Sequence, residues 1–264
     1  ERKFASVQIN LILVDDGSSD GTGKAVSQAY PDTTVIFGDG NLYWCGGTRL
    51  AFEKALQNDY DFYLWLNDDT VLYPDAIEKL ISTYFDIANK QSNALMVVGS
   101  TRDPDTGEFS YGGWRQCPGK LRTLSWKKIP PEVNQAISCD TVNGNCVLIS
   151  REVVRRIGIL DHAFTHSMGD LDYGLRAKKN GCQIVIAPGY FGECKANEGK
   201  GLWTDSSLPT WTRWKKLLGP KGLPFKEWGV FCRRHKGVLW PLVWMSPYIN
   251  FWVSICLPSE RKVA

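Results

Sequence analysis

Three short apolar runs, Ile9 to Val14, Val35 to Phe37 and Phe62 to Leu66, constrain the fold more than any other feature, because the first and third lead into aspartate pairs, Asp15-Asp16 and Asp68-Asp69. Runs of this length read as strands buried on both faces. Between them Leu50, Ala51, Ala55 and Leu56 recur at helical spacing within residues 48–57. After Pro74, the residues Ile77, Leu80, Ile81, Tyr84 and Phe85 form an apolar helical stripe. Strand and helix alternate, and that alternation predicts an α/β sheet with ligands bound beyond the carboxyl ends of the strands, where both aspartate pairs fall.

The same reading places strands over Leu95 to Val98, Val142 to Ile149 and Gln183 to Ala187. It predicts a helix over Arg151 to Ile157, with Ser150 as N-cap and Gly158 as its end, and another over Asp170 to Asn180. The intervals Arg102 to Ser138 and Lys195 to Pro209, rich in Gly, Pro and Trp, read as mostly irregular. With 264 residues, 43% hydrophobic and 22% charged, the composition excludes disorder, collagen-like repeats and a coiled coil.

Charge divides the chain. Residues 1–200 hold 21 Lys/Arg against 25 Asp/Glu, a net of −4, whereas residues 201–264 hold 10 against 3, a net of +7, with seven of the eleven Trp. The expectation is one catalytic-sized domain, 1–200, followed by a basic, Trp-rich C-terminal extension, 201–264. The eight Cys form no C-x-x-C pair and no zinc-spaced cluster with His, so they read as reduced thiols in a reducing compartment. The uncharged stretch Val238 to Leu257 raises a membrane question, but Pro241 and Pro247 interrupt it and Trp240, Trp244 and Trp252 favour headgroup depth. An in-plane interfacial segment is preferred over a span or a buried core helix.

Three constellations can carry chemistry. In Asp15-Asp16-Gly17-Ser18 the carboxylates could hold ribose hydroxyls or a base N–H, or could cap the next helix. In Asn67-Asp68-Asp69, carboxylates at a strand end can bind a pyrophosphate only through a hard divalent cation, Mg²⁺ or Mn²⁺; the alternative is a polar loop with an Asp cap. In Gly169-Asp170-Leu171-Asp172-Tyr173-Gly174-Leu175-Arg176, Asp170 lies at a helix N-terminus, where the dipole favours its charged form, as either an N-cap or a base. Asp172 and Arg176, at i and i+4, could form a helix salt bridge. His162 and His166 nearby are candidates for acceptor or phosphate contact.

The ordered set L-V-D-D-G-S-S-D-G-T, N-L-Y-W-C-G-G-T-R-L-A, L-W-L-N-D-D-T-V-L-Y-P-D-A, V-N-G-N-C-V-L-I-S-R-E-V, G-I-L-D-H-A-F and G-D-L-D-Y-G-L-R-A-K-K-N-G resembles the family 2 glycosyltransferases over about residues 8–192. It is most similar to bacterial rhamnosyltransferase-like members that build surface polysaccharides. The resemblance implies a GT-A, Rossmann-like fold, with a mixed, mostly parallel sheet, flanking helices and a C-terminal helical, aromatic-rich extension. It implies that Asp16, helped by Asp15 and Ser18, contacts the nucleoside of a UDP- or dTDP-linked sugar. Asn41, the Gly46-Gly47 turn, Arg49 and Asp68 would line the donor site, with Arg49 on a phosphate or facing solvent. Asp69 would be the main metal ligand for Mg²⁺ or Mn²⁺ and Asp170 the catalytic base. Asp172, Arg176 and His166 would support the acceptor side.

The chain departs from that pattern in three places. Only about eight residues precede the D-D-G-S strand, where the family has a further strand and helix, so a first strand is expected to be missing. The metal motif begins with Asn67 rather than a carboxylate. Gly192-Glu193-Cys194 stands where a His often follows the last strand, which leaves a third metal ligand unassigned. The resemblance implies an inverting, metal-dependent transferase acting on a lipid-linked glycan, cytoplasmic and peripheral on the inner face of the membrane. There Lys215, Lys216, Lys221, Arg233, Arg234 and Lys236 would meet anionic headgroups and Trp240, Trp244 and Trp252 would insert shallowly. The competing readings are a non-catalytic remnant that binds nucleotide-sugar or glycan, a sugar nucleotidyltransferase, which would need a Gly-rich phosphate loop near the start, and nucleic-acid binding by the tail, which the acidic body opposes.

Overall fold

Strand β1 (Ile12–Asp15) runs parallel to β2 (Thr34–Phe37), with helix α1 (Thr22–Ala29) crossing between them, and Val14 pairs with Ile36 in register. These are the first elements of a computed structural model that describes residues 7–88, 92–118, 124–196 and 199–256. Helix α2 (Tyr43–Ala55) packs against β1, and β3 (Phe62–Leu66) follows. Then come β4 (Val71–Leu72), α3 (Ala76–Ala88), β5 (Leu95–Arg102), β6 (Phe109–Tyr111), β7 (Gly113–Pro118), β8 (Leu124–Ile129), β9 (Ile137–Ser138) and β10 (Thr141–Val142). The body closes with β11 (Cys146–Ser150), α4 (Arg151–Ile157), α5 (Gly169–Lys179) and β12 (Gln183–Glu193).

The large sheet runs β3-β11-β5-β12-β4, with β6 on β5 and β9 on β12. Among the described residues β1–β2 forms a separate two-stranded sheet, and β10-β7-β8 a three-stranded one. Alternation along β3 explains the layering. Phe62 and Leu64 face the cluster that α3 builds with Leu80, Ile81 and Tyr84 against β5, β11 and β12, while Tyr63 and Trp65 face Phe52 of α2 and Tyr173 of α5. Both faces of the sheet are therefore covered. This is the mixed α/β arrangement the sequence implies, but antiparallel pairs prevail: parallel pairing is recorded for β1–β2 and β5–β12, whereas β3–β11, β11–β5, β12–β4, β12–β9, β5–β6 and β10–β7 are antiparallel.

Three local expectations change. The interval 102–138 is not irregular, since it holds β6 to β9; these strands are short and run through Gly, Pro and Trp, so no apolar run marks them. Val142 to Ile149 is two strands separated by a turn at Asn143-Gly144-Asn145. Ser150 precedes α4 without capping it, because its hydroxyl donates to the Asn93 carbonyl (2.7 Å) and accepts the Leu95 amide (3.1 Å), tying β11 to the start of β5.

A division by contacts puts the described residues up to Cys117 and from Ser125 to Ala196 in one compact unit, and those from Gly199 to Cys256 in another. The second unit contains α6 (Thr210–Leu218), α7 (Phe225–His235), a 3₁₀ turn at Gly237–Leu239 and α8 (Trp240–Cys256) around Leu217, Tyr248 and Phe251. Pro247 lies inside α8 and cannot donate to the Val243 carbonyl; the neighbouring Ser246 hydroxyl does so instead, at 2.8 Å. Pro241, in the first turn, breaks no bond. Trp228 Nε1 donates to the Trp244 carbonyl (3.1 Å) and Tyr248 Oη to the Leu223 carbonyl (2.7 Å), fastening one face of α8 within its unit.

Candidate active site

The two carboxylates at the end of β1 organise the neighbouring loops. Asp15, buried, accepts the Ser18 amide (2.8 Å) and the Gly23 amide (2.9 Å), and bonds from the Ser18 hydroxyl and these amides hold its carboxyl below the usual range. A side chain at Gly23 would lie 2.4 Å from Asp15 Oδ2, so only glycine lets α1 approach this closely. Asp16 reaches across to the next loop and accepts the amides of Gly40 (2.8 Å), Leu42 (2.8 Å) and Tyr43 (3.0 Å), which caps α2 from outside its own segment. Beside them Asp15, Gly17, Ser18, Ser19, Gly21, Lys24 and Phe37 line a cleft of about 300 Å³. Asn41, exposed, donates its amide to Asp39 (3.0 Å) immediately before α2.

Gly46 and Gly47 are not a turn. They occupy the first turns of α2, where Gly47 faces Val14 of β1 and the Gly46 amide reaches the Thr165 carbonyl (3.2 Å). Arg49 neither faces solvent nor extends freely toward a phosphate: its Nη1 donates to the carbonyls of Asp161 and Phe164, both at 3.1 Å, and anchors the loop that leads to α5. His166, on that loop, accepts the Trp44 amide through Nδ1 at 3.4 Å. His162 lies on the exposed side, 3.6 Å from Glu53.

The turn at Asn143–Asn145 joins the remaining parts. The Asn67 amide donates to the Asn145 carbonyl (3.1 Å) and Asn67 Oδ1 accepts the Trp44 indole (2.7 Å), so the loop carrying the exposed Asp68 and Asp69 is held from two sides. A side chain at Gly144 would lie 2.0 Å from the Trp44 ring, and glycine is required there. On the other side of the turn the Gly144 amide donates to Asp170 Oδ2 (3.1 Å), and the Leu171 amide donates to Asp170 Oδ1 (2.8 Å). The Asn143 amide also bonds Asp170, and the Trp114 indole holds Asn143 Oδ1 at 2.7 Å, which leaves the NH₂ group for the carboxylate.

Asp170 departs from the sequence expectation in the direction of its pKa shift. Burial pushes its carboxyl up to about 6, and the bonds from Leu171, Gly144 and Asn143 offset only part of this, so desolvation outweighs the helix terminus. Asp172 and Arg176 form the helix pair, Nε to Oδ2 at 2.8 Å, fully buried on the Asp side. Arg176 also donates to the Ile157 and Ile159 carbonyls at 2.8 Å each, so the pair ties α5 to the loop after α4. Among the described residues the non-glycine positions with positive φ are Tyr43 (51°) and Met168 (69°), at the N-termini of α2 and α5. Strain of about 1–3 kcal/mol each is thus stored beside the candidate site.

Trp44, Asn67, Trp114, Asn143, Gly144, Asn145 and Cys194 complete the site. Trp44, Asn67 and Asn143–Asn145 fall in three of the quoted motifs and Cys194 in the departure after the last strand, whereas no sequence signal marks Trp114. At the end of β12 the Cys194 thiol donates to Asp69 Oδ1 (3.5 Å) and accepts from Asn145 Nδ2 (3.5 Å). Among the described residues no three His, Cys, Asp or Glu side chains converge on one point. The exposed carboxylates of Asp68 and Asp69 are hard oxygen donors of the kind a divalent cation takes.

The model of the family "Glycosyl transferase family 2" matches residues 5–158. An N-acetylglucosaminyl-diphospho-decaprenol L-rhamnosyltransferase of Mycobacterium tuberculosis (strain CDC 1551 / Oshkosh) is 25% identical over 206 residues, covering 68% of this chain and 64% of its own. An uncharacterized glycosyltransferase of Rickettsia felis is 26% identical over 195 residues, covering 70% of this chain and 28% of its own. This chain thus spans less than two thirds of the length of either relative. In three dimensions the crystal structure of GalNAc-T7 with UDP, GalNAc and Mn²⁺ superposes with a TM-score of 0.55 at 13% identity, over 76% of this chain and 39% of that one, a likeness of fold.

Proposed function

Because the chain belongs to glycosyl transferase family 2 and is a glycosyltransferase, we propose that it is the inverting, metal-dependent kind, moving a sugar from a UDP- or dTDP-linked donor to a hydroxyl of a lipid-linked glycan in bacterial cell-surface polysaccharide synthesis. The observation that carries this reading is Asp170, a half-buried carboxyl held by two backbone amides and Asn143, with desolvation pushing its pKa up to about 6. A carboxylate tuned upward in this way is ionised at neutral pH yet basic enough to accept a hydroxyl proton.

In this mechanism Asp170 takes the proton as the acceptor oxygen bonds to the anomeric carbon. The bond from that carbon to the diphosphate breaks on the opposite face, which inverts the centre, and the nucleoside diphosphate departs with the bonding pair. Asp69 and Asp68 stand at the β3 end to hold Mg²⁺ or Mn²⁺, which when bound neutralises charge building on the leaving group. Asp15 and Asp16 act through the loops they organise: Ser18, Asn41 and the α2 N-terminus are presented to the nucleoside and diphosphate. Arg49, Asp172, Arg176 and His166 fix the loop and helix that deliver Asp170.

The lipid-linked acceptor gives the second unit a role. On α8 the exposed Leu242, Met245, Ile249, Trp252 and Val253 form an apolar stripe at helical spacing. Gly237–Cys256 is long enough to span a bilayer, but its other face is fastened to helices bearing Lys215, Lys216, Arg233 and Arg234, which favours lying in the interface. Trp244 is turned inward, its Nε1 on the Phe225 carbonyl at 3.0 Å, so the proposed inserting surface keeps Trp252 of the sequence expectation but not Trp244. The test is transfer from a panel of UDP- and dTDP-sugars to a polyprenyl-diphosphate glycan, with Mg²⁺, Mn²⁺ or EDTA. Metal-dependent turnover of one donor supports the reading; full turnover in EDTA overturns metal dependence.

A further inference from the structure

We propose that Lys128, set against Tyr111 and Trp114, binds an anionic group of the acceptor: a diphosphate joined to the same sugar whose hydroxyl meets Asp170. This rests on the reading of Asp170 as the base and adds to it the class of acceptor, a sugar attached directly to a lipid diphosphate rather than a neutral glycan end. Charge supplies the first ground. Residues 109–131 hold five Lys/Arg and no Asp or Glu, inside a body, residues 1–200, whose net charge is −4. Lys128 of β8 is half-buried there, its Nζ 5.1 Å from the centre of the Tyr111 ring and 5.7 Å from that of Trp114. One of its three N–H groups donates to the Ser110 carbonyl (2.8 Å), and among the described residues no carboxylate pairs with it. Desolvation lowers its pKa, with no neighbouring charge to oppose the shift. The two rings attract the ammonium but accept no N–H bond of ordinary strength. A half-buried cation without a counter-ion is costly to keep, and an arriving anion offsets that cost.

Position supplies the second ground. A side chain at Gly113 would meet Ile186 of β12 at 2.6 Å, so that side of β7 packs on the large sheet and Trp114, the next residue, lies on the opposite face. From there the Trp114 indole donates to Asn143 Oδ1 (2.7 Å), and the Asn143 amide bonds Asp170. The hairpin is also tied to α5: β7 pairs with β10 at Thr141, whose hydroxyl donates to the Leu171 carbonyl at 2.8 Å. The indole therefore spans the interval between the partner of the base and the ammonium of Lys128. A pyranose ring is of comparable width and carries its accepting hydroxyl and its anomeric oxygen on different edges. A sugar whose hydroxyl donates to Asp170 then presents its anomeric phosphate at Lys128, where a charge-assisted hydrogen bond holds it.

The experiment offers a panel of hexoses, each as a farnesyl-diphosphate conjugate and as a neutral octyl glycoside, and reads the ratio of kcat/KM within each pair. The wild-type chain should favour the diphosphate conjugate by about tenfold or more, and Lys128→Gln should lose about tenfold of that ratio, through acceptor KM rather than kcat. Lys128→Arg should keep most of it, because a guanidinium also stacks on aromatic faces and donates to phosphate. A second measurement needs no variant: acetylation of Lys128 by acetic anhydride, mapped by mass spectrometry, should be suppressed by the diphosphate conjugate and not by the octyl glycoside. Equal suppression by inorganic pyrophosphate would make this a free-phosphate site and overturn the acceptor assignment. A ratio unchanged in Lys128→Gln, a wild-type chain that favours the neutral glycoside, or labelling indifferent to the conjugate overturns the role of Lys128 and leaves the transferase reading standing. Transfer to neither acceptor from any donor overturns both.

Discussion

Asp170 shows how one side chain can be read correctly for position and incorrectly for the direction of its pKa shift. Its place in the first turn of a helix is visible in the sequence, and a helix N-terminus alone would lower its pKa. The opposite shift arises from desolvation, which outweighs the hydrogen bonds that Leu171, Gly144 and Asn143 donate, and no local spacing reveals it. Two expectations belong to this scale. The acid limb of kcat/KM should fall near pH 6: activity is present above that value and lost as pH falls and the base protonates. Trp114→Phe frees the Asn143 amide to turn its oxygen toward Asp170, so the limb should move to higher pH while donor KM changes little. An unmoved limb would show that Trp114 does not orient Asn143. Asp16→Ala removes the acceptor of three amides and should lower stability by about 1–3 kcal/mol in denaturant titration, with weaker donor binding.

At the scale of elements, the apolar runs that end in aspartates became β1 and β3, although β1 is only half-buried along its apolar residues and β3 alternates between half-buried and buried positions. Helices α3 and α4 were equally legible from stripe and glycine end. The strands β6 to β9 were not, since short strands interrupted by Gly and Pro have neither alternation nor length. The turn at 143–145 was quoted as part of a motif but lost inside a supposed continuous strand, and it proves to link the loop of Asp69 to Asp170. Gly144→Ala should therefore disturb both sides at once: the added carbon meets the Trp44 ring, and lowered thermal stability together with lost activity is expected. In α8, Ser246→Ala leaves the Val243 carbonyl without its hydroxyl donor at a helix already broken by Pro247. A loss of about 0.5–1.5 kcal/mol should appear in the melting of the second unit.

For the whole molecule, the proposed function would give the −4 and +7 parts of the sequence different demands. A site working on a diphosphate through a cation would need carboxylates, and a surface meeting anionic lipid would need lysine, arginine and exposed apolar side chains. Ile249→Lys in the α8 stripe should weaken sedimentation with anionic vesicles and leave turnover of a water-soluble acceptor intact; unchanged sedimentation would remove α8 as the docking surface. The account as a whole turns on whether Asp170 removes the acceptor proton. The measurement is steady-state sugar transfer by the wild-type chain and by Asp170→Asn, with donor, Mn²⁺ and acceptor saturating, alongside donor binding by calorimetry. General-base catalysis predicts a fall in kcat of about 10²- to 10⁴-fold with donor affinity kept within a few-fold. Turnover by Asp170→Asn equal to that of the wild type would contradict it.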